Sequence, residues 1–148
     1  MKSIDYIEDF DSWKSEFRFS IPIKIRFSET DMYGHVNNVS AFIYFEEGRI
    51  DFMNELGLAD EMKRDQGAVI VSDLKCDYQK QMFFNDRIHL YVKANHVGNT
   101  SVDIHYMAVN ENGEVTLTGR GRLVYIDVKT AIPKALTDTM KERLLNSK

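Results

Sequence analysis

A chain of 148 residues with 43% hydrophobic and 28% charged side chains and net charge -4 has the make-up of one folded unit with a real core, not of a disordered tract. The mild acidity argues against nucleic acid as a partner, since phosphate binding needs a concentrated basic patch. One cysteine, Cys76, excludes an internal disulfide and a cysteine-rich zinc site. No signal-peptide run opens the chain and no stretch approaches the roughly 18 apolar residues of a membrane span, so the expectation is one cytoplasmic domain over 1–148.

Residues 1–16 read as an N-terminal extension in which "DFDSWKSE" forms a short helix laying Trp13 on the body of the domain. "FRFSIPIKIRF", 17–27, alternates apolar and polar and predicts a half-buried strand, with Pro22 placing it at a sheet edge or irregularity. A helix is predicted over 38–56, with Asn37 as its cap, Val36 and Ala41 as a hydrophobic staple, and Gly57 as its stop. At this length it would be central. From Ala68 the period changes to two, and 68–82, 87–97, 100–109 and 115–126 read as four strands, with "VGNT" and "NENGE" turning between the last three. Gly119 and Gly121 share a face, which places the middle of the long helix against both. Residues 134–148 read as a terminal helix with Leu136, Met140 and Leu144 at i, i+4 spacing. The sum is an α+β layout of five antiparallel strands and one long helix.

Projected at the helical angle, Val39, Phe42, Ile43, Phe45, Ile50, Phe52, Met53 and Leu56 form the apolar arc, and Tyr44 falls on the polar side. Glu46 and Arg49 fall inside the arc. They predict an ion pair or a contact with a second chain, with catalysis by Glu46 the alternative.

Ahead of this helix stands "ETDMYGHVNN". A helix start offers unpaired N–H groups and a positive dipole end, which stabilise an oxyanion where water is excluded. Asp31 beside it can serve as base or nucleophile, and the chemistry suggested is addition to a carbonyl. The same residues have structural readings. Asp31 can close an Asx turn, His35 can be an ordinary loop histidine, Gly34 can supply a positive φ, and Asn38 can fasten the loop. His89, His96 and His105 lack metal-ligand spacing, so no metal or other cofactor is expected.

The block "IRFSETDMYGHVNNVSAFIYFEEGR" closely resembles the signature of the hotdog-fold acyl-CoA thioesterases, the 4-hydroxybenzoyl-CoA thioesterase-like group. The resemblance continues through "CDYQKQMFFNDRIHLYVKANHVGNTS" and "TGRGRLVYID". It implies a sheet wrapped around the long helix, a homodimer or dimer of dimers, and a site at the subunit interface that hydrolyses an acyl-CoA thioester. An acyl-carrier-protein thioester, or acyl-CoA binding without turnover, are the alternatives. Asp31 matches the family's catalytic aspartate, and His35 matches a functional histidine of similar plant acyl-carrier-protein thioesterases, whose intervening asparagine is Tyr33 here. Amides near Gly34 and Val36 are expected to hold the oxyanion. Tyr33, Asn38, Phe42, Phe45 and Glu46 are candidate substrate contacts, with Arg120 and Arg122, and the basic Lys80 and Arg87, candidates for the carrier's phosphates; Arg120 and Arg122 share the face opposite Gly119 and Gly121, which can equally be solvated or intersubunit.

Overall fold

The computed structural model describes residues 3–148. In chain order it contains α1 (Phe10–Ser15), β1 (Phe19–Lys24), a 3-10 turn (Phe27–Glu29), α2 (Ser40–Glu55) and α3 (Leu58–Arg64). There follow β2 (Gly67–Tyr78), β3 (Arg87–Val97), β4 (Ser101–Asn110), β5 (Val115–Asp127) and α4 (Asp138–Leu145). The strands form one antiparallel sheet in the order β1-β3-β4-β5-β2, and α2 packs across one of its faces. This is the α+β hotdog architecture that the signature block implies.

The expected strand over 17–27 is shorter at both ends. Phe17 leaves it to pack edge-on against Trp13, and beyond Lys24 the chain turns into the 3-10 helix, where the Arg26 amide donates to the Glu29 carboxylate at 2.8 Å. Pro22 lies opposite His89 on this edge strand, where its missing N–H is harmless. β2 stops at Tyr78 rather than 82 because the amides of Gln79 and Lys80 both turn to the Thr116 carbonyl.

Helix α2 starts at Ser40, two residues later than the periodicity predicts, and its buried face keeps Phe45, Phe52 and Met53 of the predicted arc but is turned from the rest. Ala41, Tyr44, Phe45, Gly48 and Phe52 are buried, while Ile43 and Ile50 are about half exposed. Close approach at two glycines selects that face. A Cβ on Gly48 would lie 2.5 Å from Leu90 Cδ2, and one on Gly119 would lie 2.5 Å from Phe45 Cε2. Gly121 is covered by Leu74 of β2 instead, so the helix meets one of the two strand glycines and not both. Gly57, at φ +70°, ends α2, and Leu58 and Met62 then drop into the core as the first and second turns of α3, a helix the period analysis does not anticipate. In α4 the Thr137 hydroxyl accepts from the Met140 amide, so the helix begins at Asp138 rather than 134. Its Arg143 guanidinium donates to the Leu56 and Gly57 carbonyls at the end of α2.

The opposite face of the sheet carries a second, smaller core of Trp13, Phe17 and Met107, so the N-terminal segment does lay Trp13 on the body of the fold. Trp13 Nε1 donates to His105 Nδ1 at 2.8 Å, which leaves the proton on Nε2, 3.1 Å from Asp103 Oδ2. Lys93 is wholly buried beside them. Its ammonium donates to the Trp13 carbonyl at 2.9 Å, and burial pushes its pKa down against the opposing pull of Glu16.

Candidate active site

The loop between the 3-10 turn and α2 is a tight, internally bonded hairpin. Thr30 bridges Val36, the Asp31 amide donates to the His35 carbonyl at 2.8 Å, and Gly34 turns the chain at φ +81°. Inside the turn, Asp31 Oδ1 accepts from the amides of Tyr33 at 2.9 Å and His35 at 3.2 Å. The Asx-turn reading of Asp31 is therefore what the geometry contains, yet it occupies one carboxylate oxygen only. The side chain is exposed, with Oδ2 directed to no partner among the described residues.

The loop is tied to α2 by a residue that the motif reading passes over. Glu29 is 7% exposed; its carboxylate accepts from the Arg26 amide, the Arg26 guanidinium at 3.1 Å and the Tyr44 hydroxyl at 3.0 Å. Its carbonyl accepts from the Asn37 amide at 2.7 Å. Burial pushes the Glu29 pKa up, but these donors outweigh it and hold the carboxyl below its ordinary value. Burial and Glu29 together raise that of Tyr44. The available signal was Glu29 standing two residues before Asp31 with Tyr44 on the following helix.

Two of the expected oxyanion donors are corrected. The Gly34 amide is spent on the Asp31 carbonyl at 3.0 Å and the Val36 amide on the Met82 carbonyl at 2.7 Å. The Val39 amide goes to Asn37 Oδ1 at 2.9 Å in the turn before the helix; Asn37 therefore does not cap α2 itself, whose N-cap is Val39 with no side-chain bond. The exposed Asn38 at this junction makes no such amide bond among the described residues, while its carbonyl accepts from the Tyr78 hydroxyl. Burial, with Cys76 adding to it, pushes Tyr78 up to about 12, so the phenol stays a donor.

His35 stands between the rings of Tyr33 at 6.3 Å and Phe83 at 5.0 Å, and it lines a cleft of about 170 Å³ with Val36, Tyr78, Lys80, Met82 and Leu117. The His35 ring and the Asp31 carboxylate make no hydrogen bond; what joins these residues is backbone. Phe42 is half-buried and meets Phe45 edge-on, whereas Phe45 is wholly buried and is a floor, not a wall, of any slot above it. Glu46 is exposed and lies 3.8 Å from Arg49, the expected pair in a loose form.

Arg120 and Arg122 do not join this site. They project from the sheet face opposite α2, where Arg120 is bound by Asp73 at 2.8 Å and by Asp103, and the Arg122 amide also reaches Asp73. That is the face the alternation with Gly119 and Gly121 predicts, since residues between inward glycines must point out. Lys80 does border the cleft, held by Glu114. Among the described residues no cluster of His, Cys, Asp and Glu could hold a metal ion, and no helix is long and apolar enough to cross a membrane.

The hairpin, the helix junction and the enclosing sheet are those of a hotdog thioesterase scaffold, and residues 25–144 match the Thioesterase-like superfamily. The chain belongs to that superfamily. It is 39% identical over 149 residues to the uncharacterized protein YsmA of Bacillus subtilis, covering 100% of both chains. Among solved structures it is similar to the DHNA-CoA thioesterase of Staphylococcus aureus, with 26% identity, a TM-score of 0.73 and 79% of each chain covered. It is also similar to a Thermus thermophilus thioesterase complexed with coenzyme A and zinc, with 25% identity, a TM-score of 0.75, and 87% of this chain and 93% of that one covered.

Proposed function

We propose that the protein hydrolyses an acyl-CoA thioester, with Asp31 as general base on the attacking water. The observation that carries this reading is the half-used carboxylate. Oδ1 is fixed by two amides, which orients the side chain, while Oδ2 is exposed and can take a proton from water. The Asn38 amide and the start of α2 supply the positive end of the helix for the developing oxyanion. His35 contributes a ring to the cleft wall. A thioester needs little more, having weak resonance stabilisation and a good leaving group.

The slot is half-built in one chain. Val39 just ahead of α2, Ile43 and Ile50 of α2 and Val71 of β2 are exposed, and among the described residues the outer edge of β2 pairs with no strand. A second copy pairing along β2 would cover these side chains and exclude water from the Asp31 loop. Thiol release from a panel of acyl-CoAs is the direct assay. Asp31→Asn keeps both turn bonds to Oδ1 and removes the base, so kcat should fall by about 10²–10⁴-fold with an unchanged fold. Wild-type rates in that variant refute the assignment.

A further inference from the structure

On the sheet face away from α2, Lys93 of β3, His105 of β4 and Arg120 of β5 stand in register across three strands. The N-terminal segment, residues 3–16, seals the first two. Lys93 is 0% exposed, His105 1% and Trp13 5%. Lys93 donates to the Trp13 carbonyl, and Tyr6 meets the His105 ring edge-on at 5.1 Å. The acids around them are shared. Asp103 serves His105 and Arg120, Glu16 serves Lys93 and Lys148, and Asp5 and Asp77 lie against Lys75 of β2.

One bond in this arrangement requires His105 to be neutral. An indole N–H can only donate, so His105 Nδ1, 2.8 Å from Trp13 Nε1, must present its lone pair. The ring's one proton is then on Nε2, towards Asp103. A second proton has only Nδ1 to bind, where it would point at the indole N–H. The docked segment and an imidazolium therefore exclude each other at this contact. Burial works in the same direction: it lowers the His105 pKa against the pull of Asp103, and Lys93 and Arg120 add to the lowering. An uncovered ring regains its ordinary proton affinity, so falling pH favours the uncovered form.

We propose that residues 3–16 form an acid-released strap, which leaves the outer face of the sheet when His105 takes a proton while the strands and α2 stay folded. The buried members of the core under the strap are Trp13, Phe17 and Met107, a far smaller set than the core under α2, and the smaller unit opens first. Glu16 and Asp5 are held below their ordinary values of 4.5 and 3.8 by Lys148 and Lys75, so their pairs break only in stronger acid. The strap lies on the other face from the Asp31 loop, and its release does not depend on the hydrolase assignment.

The test follows Trp13, the sole tryptophan, in the whole chain. Its quenching by acrylamide should climb towards that of a free indole as pH falls from about 8 to about 5, with far-UV circular dichroism unchanged. Linkage to one proton makes the docking constant fall by up to about tenfold per pH unit below 6.5. The His105 ring resonances of the unmodified protein should titrate with the same midpoint. His105→Gln supplies an amide oxygen that accepts from the indole at any pH, so its quenching should stay flat. A flat wild-type profile overturns the proposal, as does a His105 midpoint that differs from that of the quenching. Unaltered pH dependence in His105→Gln also overturns it. Exposure of Trp13 only together with loss of the far-UV signal would mean global unfolding and no strap.

Discussion

Removing the Tyr44 hydroxyl should loosen the Asp31 loop from its helix by an amount the geometry sets. Glu29 Oε1 accepts both the Arg26 amide at 2.8 Å and the Tyr44 hydroxyl at 3.0 Å, and Tyr44 is 2% exposed. A buried hydrogen bond to a charged acceptor is worth about 1.5–3 kcal/mol, so Tyr44→Phe should cost about 2 kcal/mol. Glu29→Ala orphans two donors and should cost about 3–4 kcal/mol, to which the Arg26 guanidinium, 70% exposed as a side chain, adds under about 1 kcal/mol. Because the two residues share one bond, the double variant should fall short of additivity by about 1.5 kcal/mol in urea unfolding. The carboxyl is held below its ordinary value of 4.5, so its stabilisation is present above that pH and is lost as pH falls through the folded-state value. The coupling should therefore shrink in acid below about pH 4.5. Additive losses within about 0.5 kcal/mol, or a coupling that grows in acid, would refute this account of the loop.

Further predictions concern other parts of the fold. Burial lowers the His105 pKa from 6.5 despite Asp103, with Lys93 and Arg120 opposing protonation, so the unfolded chain binds the proton first and stability should decline as pH falls below 6.5. His105→Gln should flatten that slope, read from urea midpoints and from fluorescence of Trp13, the sole tryptophan. Gly119→Ala forces the new methyl into Phe45 and the Lys75 carbonyl and should cost about 1–3 kcal/mol in thermal unfolding. Gly113→Ala meets no atom within 4 Å but must hold φ at +78°, and should cost about 1 kcal/mol.

Much of the fold can be read along the chain where a period repeats without interruption. The strand predicted over 87–97 is β3 to the residue, because each inward position is a plain hydrophobe. The face of α2 was misjudged for the converse reason: Tyr44 counts as polar in a projection, yet its hydroxyl has Glu29 to receive it, while Ile43 and Ile50 count as core and are exposed. Asp31 was legible as a motif. Which amides remain for an oxyanion was not, because the acceptor that removes Val36 from the list is Met82, far along the chain. Pleat parity with the two glycines already turns the arginines to the other face; what it cannot show is that Asp73 and Asp103, on neighbouring strands, bind Arg120 there.

The two margins of the sheet differ in kind. Along β1, Pro22 withholds an N–H, and along β2 twelve residues offer their outer groups without a proline, interrupted only by the irregularity at Val71 and Asp73. Growth by strand addition needs two receptive margins per molecule, as a chain link needs two open ends. With Pro22 on one margin and none on the other, pairing along β2 would use the proline-free margin and would end with a closed pair, not a fibre.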